Sequence, residues 1–444
     1  MDITNIRLGK KYADKQKMME ALARENFWVD KVLKVCISQL NSRPNPAILS
    51  VIDSKVKEGI SLSFEEAFAG MLFVIAATNN LIREKLFPKM SFSEAIAKGV
   101  GFLQLMATKE ALEGLSPEEI AGMSAAGMLD LVFRPLIPKV VETCGMGGDR
   151  GWDTKEIKTI NASTLSALVL ASLGLLTFKH ASYGNTTKVG STDIPLNFGA
   201  RICHRSKEEI IKIFEETNFW FSDAHSVKTL HYLSHLLMVE TVNHIVGPMT
   251  IPIATQTKLF KVMGVNHHVN PEVIARAYMI LHQKKFVNLG GVIVVCGLDK
   301  LPQNKEYLDH QWVKEHAFLD EVSPKATLVS LAKEDKFLGN FIVTDESFDA
   351  EPLPEEKLKV QNTVFSLMKA DEAALRGKDD ILAKYLARNA ALGLLVVNDL
   401  GKEQCFTLLP RHYQQSLETI YSGRAFRTLK KYVEVSGGKF KSWL

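Results

Sequence analysis

The residues best suited to chemistry lie close together, in VETCGMGGDRG at 141–151 and in the stretch from 161 to 193. Gly145, Gly147 and Gly148 come after a β-branched apolar run and are closed by Asp149. Glycine loses the most backbone freedom on folding, so such a cluster marks a tight turn or a ligand that touches the backbone. Asn161, Ser163 and Thr164 then open an apolar helical run. A helix start offers unpaired N–H groups and a partial positive charge. Joined to a glycine turn it makes an anion site, and phosphate is the usual occupant. Read alone, the pattern is equally a strand, a turn and an ordinarily capped helix. Lys179 and His180 end the next β-rich run, and Thr187 and Lys188 sit in a polar loop leading to Gly190, Ser191 and Asp193. A lysine at the carboxyl end of a strand suits phosphate, because ligands of open α/β sheets bind at that edge.

These residues need a scaffold, and the hydrophobic pattern supplies one. Residues 1–135 read as a helical domain with an N-terminal extension. KQKMMEALARENFWVDKVLKVCISQL, NPAILSVIDSKVKEG and SFEEAFAGMLFVIAATNNLI carry apolar residues at helical spacing. Ser63 with Glu66 forms a capping pattern, and Ser116-Pro117-Glu118-Glu119 is a helix start with its acids in the first turn. From 136 to 444 β-rich and helical runs alternate. Candidate strands are 139–144, 175–180, 258–265, 291–298 and 326–331. Helices are expected from Ser163, Ser206, Ala224, Pro271 and near Glu355, with a strong apolar helix in ILAKYLARNAALGLLVVN. The alternation predicts an α/β fold with a mostly parallel central sheet covered by helices. The polar stretch 299–316 reads as an exposed loop.

The chain has 444 residues, 46% of them hydrophobic and 23% charged, with a net charge of +4. That is ample for a core without staples and too mild a charge to argue for nucleic acid or a membrane surface. The five cysteines show no metal-ligand spacing and are odd in number, which reads as a reduced protein. The N-terminus lacks a signal-peptide core, and the longest apolar run, 165–178, is too short to span a bilayer. A cytoplasmic location is the expectation.

The order CGMGGD, NAST, KH and TTKVGSTD resembles the anthranilate phosphoribosyltransferase family, whose pattern reads GTGGD, N-x-S-T, KHGN and S-S-K-x-G-S-x-D. HIVGPMTIP at 244–252, LDEV at 319–322, RNAALGLLV at 388–396 and YSGRAFRTLKKYVE at 421–434 extend the likeness over roughly 45–435. The resemblance implies an enzyme that displaces pyrophosphate from C1 of phosphoribosyl pyrophosphate with a nitrogen nucleophile, using Mg²⁺. It implies that Gly145, Gly147, Gly148, Asn161, Ser163, Thr164, Lys179 and Thr187 bind phosphoribosyl pyrophosphate. It implies that Ser163, Asp320 and Glu321 serve Mg²⁺, and that Asp149 and His180 lie nearest the chemistry. On spacing alone Asp320-Glu321 is a solvated pair. A homodimer joined through the helical domain is also implied.

The departures concern the acceptor. KHGN reads KHAS here, so Ser182 and Tyr183 replace an asparagine and an arginine. The arginine that would grip a carboxylate becomes Ser234, near His231 and His235. Arginine is the natural bidentate partner of a carboxylate. Its absence points to an aromatic or heteroaromatic acceptor other than anthranilate, bound by Ser182, Tyr183, His231, Ser234 and His235. His231 and His235 share a helical face at i, i+4, a spacing seen at zinc sites, but pocket lining is the stronger reading. The loop from Asp149 to Asn161 is longer than the family pattern, and Met146 replaces a threonine. Two other readings stay open: a nucleoside phosphorylase, against which the acidic pair argues, and a nucleic-acid-binding relative of the fold, against which the mild charge argues.

Overall fold

A computed structural model describes residues 28–444, apart from 131–133, 149, 153–155, 184–187, 203–206, 224–229, 231, 238–240 and 399–401. In chain order the helices and strands begin with α1 (Trp28–Leu40), α2 (Ile48–Lys57), α3 (Phe64–Thr78), α4 (Asn80–Leu86), α5 (Phe92–Glu113) and α6 (Pro117–Met128). Then come β1 (Lys139–Gly145), β2 (Ile157–Lys158), α7 (Ala162–Ser172), β3 (Thr177–Ala181), α8 (Asp193–Asn197), α9 (Lys207–Thr217) and β4 (Phe219–Asp223). Next are α10 (Tyr232–Leu237), α11 (Asn243–Met249), β5 (Lys258–Gly264), α12 (Pro271–Gln283), β6 (Asn288–Leu298), α13 (His310–His316) and β7 (Ala317–Leu319). The last are β8 (Ala326–Lys333), β9 (Lys336–Val343), β10 (Val360–Gln361), α14 (Val364–Leu375), α15 (Asp380–Val396), α16 (Lys402–Tyr421) and α17 (Arg424–Val435).

The chain forms two compact units, one within Met1–Arg134 plus Ala224–Ile253, the other Pro135–Asp223 plus Ala254–Leu444. In the first, both sequence-read starts are capping boxes. Ser63 and Glu66 close α3, and Ser116 and Glu119 close α6 behind Pro117. α3 is buried over nearly its whole length and packs against α5 and α6. Each fully buried Leu, Ile or Phe there stabilises the unit by roughly 1.5–3 kcal/mol.

In the second unit the sheet runs β4-β3-β1-β5-β6-β8-β9, with β7 paired to β6. β4, β3, β1, β5 and β6 are parallel, whereas β7, β8 and β9 join antiparallel. The near-continuous burial of β1, β5 and β6 is what parallel strands covered by helices require. α7 and α15 pack against the β1 and β5 region, and α12 against β6 and β8. A separate two-stranded pair joins β2 to β10.

Some sequence expectations shift. The helix expected near Glu355 is a single 3-10 turn, Glu355–Lys357, and the helix proper starts at Val364, capped by Thr363. Pro354 fixes an extended approach that suits only a short turn before the chain enters β10. The 299–316 stretch holds a 3-10 turn (Glu306–Leu308) and α13, capped by Asp309. The helix start expected at Ala224 lies outside the described residues. No helix among the described residues is long and apolar enough to cross a membrane.

Candidate active site

The glycine run begins where β1 ends. Gly145 pairs in register with Gly264, the last residue of β5. A Cβ on Gly145 would lie 2.3 Å from Asp320 Oδ2, and one on Gly264 only 1.5 Å from the Asp320 carbonyl oxygen. Two side-chain-free positions on neighbouring strands therefore open a notch in the sheet edge, and Asp320 runs through it. Gly147 has φ +71°, a left-handed conformation that favours glycine, and a Cβ there would meet nothing within 4 Å. Its N–H donates to Asp320 Oδ2 at 2.7 Å, and its carbonyl accepts from Asn266 Nδ2 at 2.7 Å. Gly148 also has positive φ. The loop beyond it is tied down by α13 and β7. Arg150 donates to the Glu315 carbonyl at 2.9 Å, Gly151 N to the Phe318 carbonyl at 2.8 Å, and Trp152 Nε1 to Glu355 at 2.6 Å.

α7 starts beside this loop. Thr143 of β1 donates to the Ser163 carbonyl at 2.6 Å, tying the first turn of the helix to the strand. Lys179 of β3 donates to the Thr143 carbonyl at 2.9 Å and to Ser163 Oγ at 3.0 Å. Lys179 is 1% exposed, and among the described residues no carboxylate lies within ion-pair distance of it. Burial pulls its ammonium down to about 8. Asn161, at the mouth of α7, donates through its backbone N–H and its side-chain amide to Asp371 of α14 at 2.8 and 2.9 Å. Burial pushes the Asp371 carboxyl up to about 7, against those two donors. Thr164 is buried.

Glu321 follows Asp320 directly. Its Oε1 accepts from Tyr385 at 2.9 Å and from the Thr159 hydroxyl. Asn389 holds the Val322 amide at 3.1 Å, and Ser323 donates to the Leu298 carbonyl at 2.7 Å, so the acidic pair sits on an anchored turn. His180 binds Glu142 through Nδ1, and the other Glu142 oxygen takes Lys261 Nζ at 2.5 Å. Burial opposes the Glu142 charge, but Lys261 and then His180 outweigh it and hold the carboxyl down at about 2.

Asp320 thus meets Gly145 and Gly147, and Lys179 meets Ser163 and the Thr143 carbonyl, at the carboxyl edge of β1, β3 and β5. Ser182 and Tyr183 follow β3 at that edge, and Tyr183 OH reaches Asp223 at 3.5 Å. Ser234 belongs to the helical unit, where it bonds to Thr241 at 2.7 Å and to Asn243 at 2.7 Å. His235 lies on α10. Asp149, Thr187 and His231 lie outside the described residues. The sequence reading missed Thr143, Thr159, Asn266, Asp371 and Tyr385. It also missed the Glu142–Lys261 pair, although a charge inside each of two apolar strand runs was the available signal.

In sequence, residues 137–307 match the glycosyl transferase family, a/b domain. An α/β glycosyl transferase is therefore the class that the fold and the phosphate-suited edge define. The anthranilate phosphoribosyltransferase of Ignicoccus hospitalis is 27% identical over 394 residues, 86% of this chain and 96% of its own. That of Methanococcus vannielii is 30% identical over 240 residues, 53% of this chain and 69% of its own. The chain belongs to the anthranilate phosphoribosyltransferase family. The crystal structure of the Thermus thermophilus enzyme shares the fold with a TM-score of 0.64 at 22% identity, covering 87% of this chain and 99% of its own. The Saccharomyces cerevisiae enzyme, solved in complex with PRPP and Mg, gives 0.63 at 19% identity, covering 87% and 98%.

Proposed function

We propose that the protein is a Mg²⁺-dependent phosphoribosyltransferase that moves 5-phosphoribosyl from phosphoribosyl pyrophosphate to a nitrogen of an aromatic or heteroaromatic acceptor other than anthranilate. The observation that carries the reading is Lys179: a buried ammonium held by a carbonyl and a hydroxyl, with no carboxylate of the described protein against it. A buried cation with no carboxylate in direct contact is costly, and a bound polyanion relieves that cost. The first turn of α7 opens at the same edge and suits the same anion. In the reaction a C1–N bond forms as the C1–O bond to pyrophosphate breaks. The leaving pyrophosphate keeps the electron pair, and the acceptor nitrogen sheds a proton. Fixed donors aimed at the leaving oxygens stabilise charge as it develops.

Asp320, Glu321 and Ser163 supply hard oxygen donors, the set Mg²⁺ takes alongside a phosphorylated substrate. Bound there, Mg²⁺ would neutralise charge on the departing pyrophosphate. Asp320 also orients the glycine loop through the Gly147 amide, and Tyr385 and Thr159 orient Glu321. The acceptor reading rests on Ser234, a neutral hydroxyl in a network with Thr241 and Asn243, at the position where the family pattern has arginine. A cytoplasmic homodimer completes the proposal. It is supported by the free, buried Cys36, Cys144 and Cys296 and by exposed apolar side chains on the helical unit, among them Ile37, Val51 and Ile60.

The test is calorimetry with phosphoribosyl pyrophosphate and Mg²⁺, then a screen of aromatic amines with pyrophosphate release as the signal. Binding that depends on Lys179, with turnover on a non-carboxylate amine, is expected. Absence of binding overturns the reading, and efficient turnover of anthranilate alone overturns its acceptor half.

A further inference from the structure

Asn161 occupies the N-cap position of α7, yet its side chain makes no cap bond to the helix. An asparagine there ordinarily turns its oxygen onto the second or third amide of the helix and satisfies it. Here the carboxamide is turned away. Asp371, fully buried on α14, accepts the Asn161 backbone N–H on Oδ1 at 2.8 Å and the side-chain amide on Oδ2 at 2.9 Å. In the same first turn the Thr164 hydroxyl is buried without a hydrogen-bond partner. Such an orphaned polar atom marks a place a ligand can complete.

The position of Asp371 is itself fixed. Its neighbour Glu372, also fully buried, accepts from Ser442 Oγ at 2.7 Å, Arg376 at 2.9 Å and the backbone amides of Trp443 and Leu444 at 2.6 and 3.2 Å. α14 is thereby fastened to the residues at 442–444, and the Asp371 carboxylate cannot drift from the mouth of α7.

We propose that Asp371 is a positioning residue for phosphoribosyl pyrophosphate: it holds the Asn161 side chain off the mouth of α7, so that the Ser163 amide, the first-turn donor left over once Ala162 and Thr164 have donated to the Ile160 and Asn161 carbonyls, serves the substrate's phosphate rather than an internal cap. The inference rests on the proposed function and adds a residue to it. Released from Asp371, the Asn161 oxygen would swing onto the helix, cap it and compete with the anion. The helix loses little stability by this exchange, because the cap bond gained offsets the side-chain bond to Asp371 that is lost. The substrate loses the Ser163 amide as a donor.

The experiment measures KM for phosphoribosyl pyrophosphate, kcat and melting temperature for the unchanged protein, Asp371→Asn, Asn161→Ala and the double variant. Asp371→Asn keeps the shape but sets an amide against the Asn161 amide. It should raise KM roughly tenfold or more while kcat changes little. In the Asn161→Ala background no self-capping is possible, so the Asp371→Asn change should have almost no further effect on KM. A fall in melting temperature with KM unchanged, or full additivity in the double variant, overturns the inference. If the unchanged protein does not bind phosphoribosyl pyrophosphate in calorimetry, the proposed function fails instead, so the two failures are told apart.

Discussion

Replacing Gly145 by alanine probes the notch that admits Asp320. Gly145 ends β1 in an extended conformation, so alanine adds no backbone strain, and the effect is steric. The new Cβ would stand 2.3 Å from Asp320 Oδ2 and 3.0 Å from its Cγ. Ordinary carbon–oxygen contact begins near ~3.3 Å, so the carboxylate must retreat by about 1 Å. The bond from Gly147 N to that oxygen is 2.7 Å long. Lengthened by that amount it passes beyond about 3.5 Å and ceases to be a hydrogen bond. Losing a hydrogen bond to a charged acceptor costs ~1.5–3 kcal/mol, a factor of roughly 10 to 150 in an affinity. The glycine loop and the acidic turn would both lose their mutual support, so the loss should appear in KM for phosphoribosyl pyrophosphate and in the Mg²⁺ concentration needed for half activity. Steady-state pyrophosphate release at varied substrate and Mg²⁺ reads both, with a melting curve to confirm folding. A Gly145→Ala protein whose two constants stay within about twofold of the unchanged protein refutes the reasoning.

The lowered Lys179 value gives a pH dependence. Affinity for phosphoribosyl pyrophosphate should fall as pH rises through about 8 and the ammonium loses its proton, and a flat calorimetric profile across that range would contradict it. Lys179→Met should abolish turnover with the fold intact by circular dichroism. Glu142 has a folded-state carboxyl lowered from 4.5 to about 2, so its stabilisation is complete above about 4.5 and lost as pH falls toward about 2. Glu142→Gln strands Lys261 and should cost ~3–5 kcal/mol in denaturant unfolding. It should also flatten the acid limb of the stability curve; an unchanged midpoint counts against the ion pair. The paired change Asp320→Asn with Glu321→Gln should raise the Mg²⁺ requirement sharply, and normal activity at low Mg²⁺ would remove these residues from the metal reading.

What the sequence disclosed was local. The three glycines, the start of α7 and the caps at Ser63 and Ser116 depend on neighbours a few residues away, so pattern and spacing carry them. The hydrophobic runs of β1, β5, β6 and β8 likewise announced themselves. The Asp371–Asn161 contact spans 210 residues, and Tyr385–Glu321 spans 64; no local rule reaches that far. β4, FWFSD, is short and aromatic and carries no periodicity that separates it from the end of α9. β9 carries Gly339 and Asn340 in its interior, residues that read as a turn and become strand only through pairing with β8. Spacing singled out Ser234 but could not show that its hydroxyl is engaged by Thr241 and Asn243.

The helical unit is assembled from two separated stretches of chain. α11 returns to pack on α6, and Leu230, Leu233, Ile245 and Val246 are buried. A nascent polypeptide that has emerged only as far as Arg134 therefore lacks part of its own interior. It must wait until β1 through β4 have been translated before that first unit can close. During that interval its uncovered apolar surface is open to chaperones or to a second nascent copy. An expression fragment cut at the boundary that composition suggests would inherit the same defect permanently.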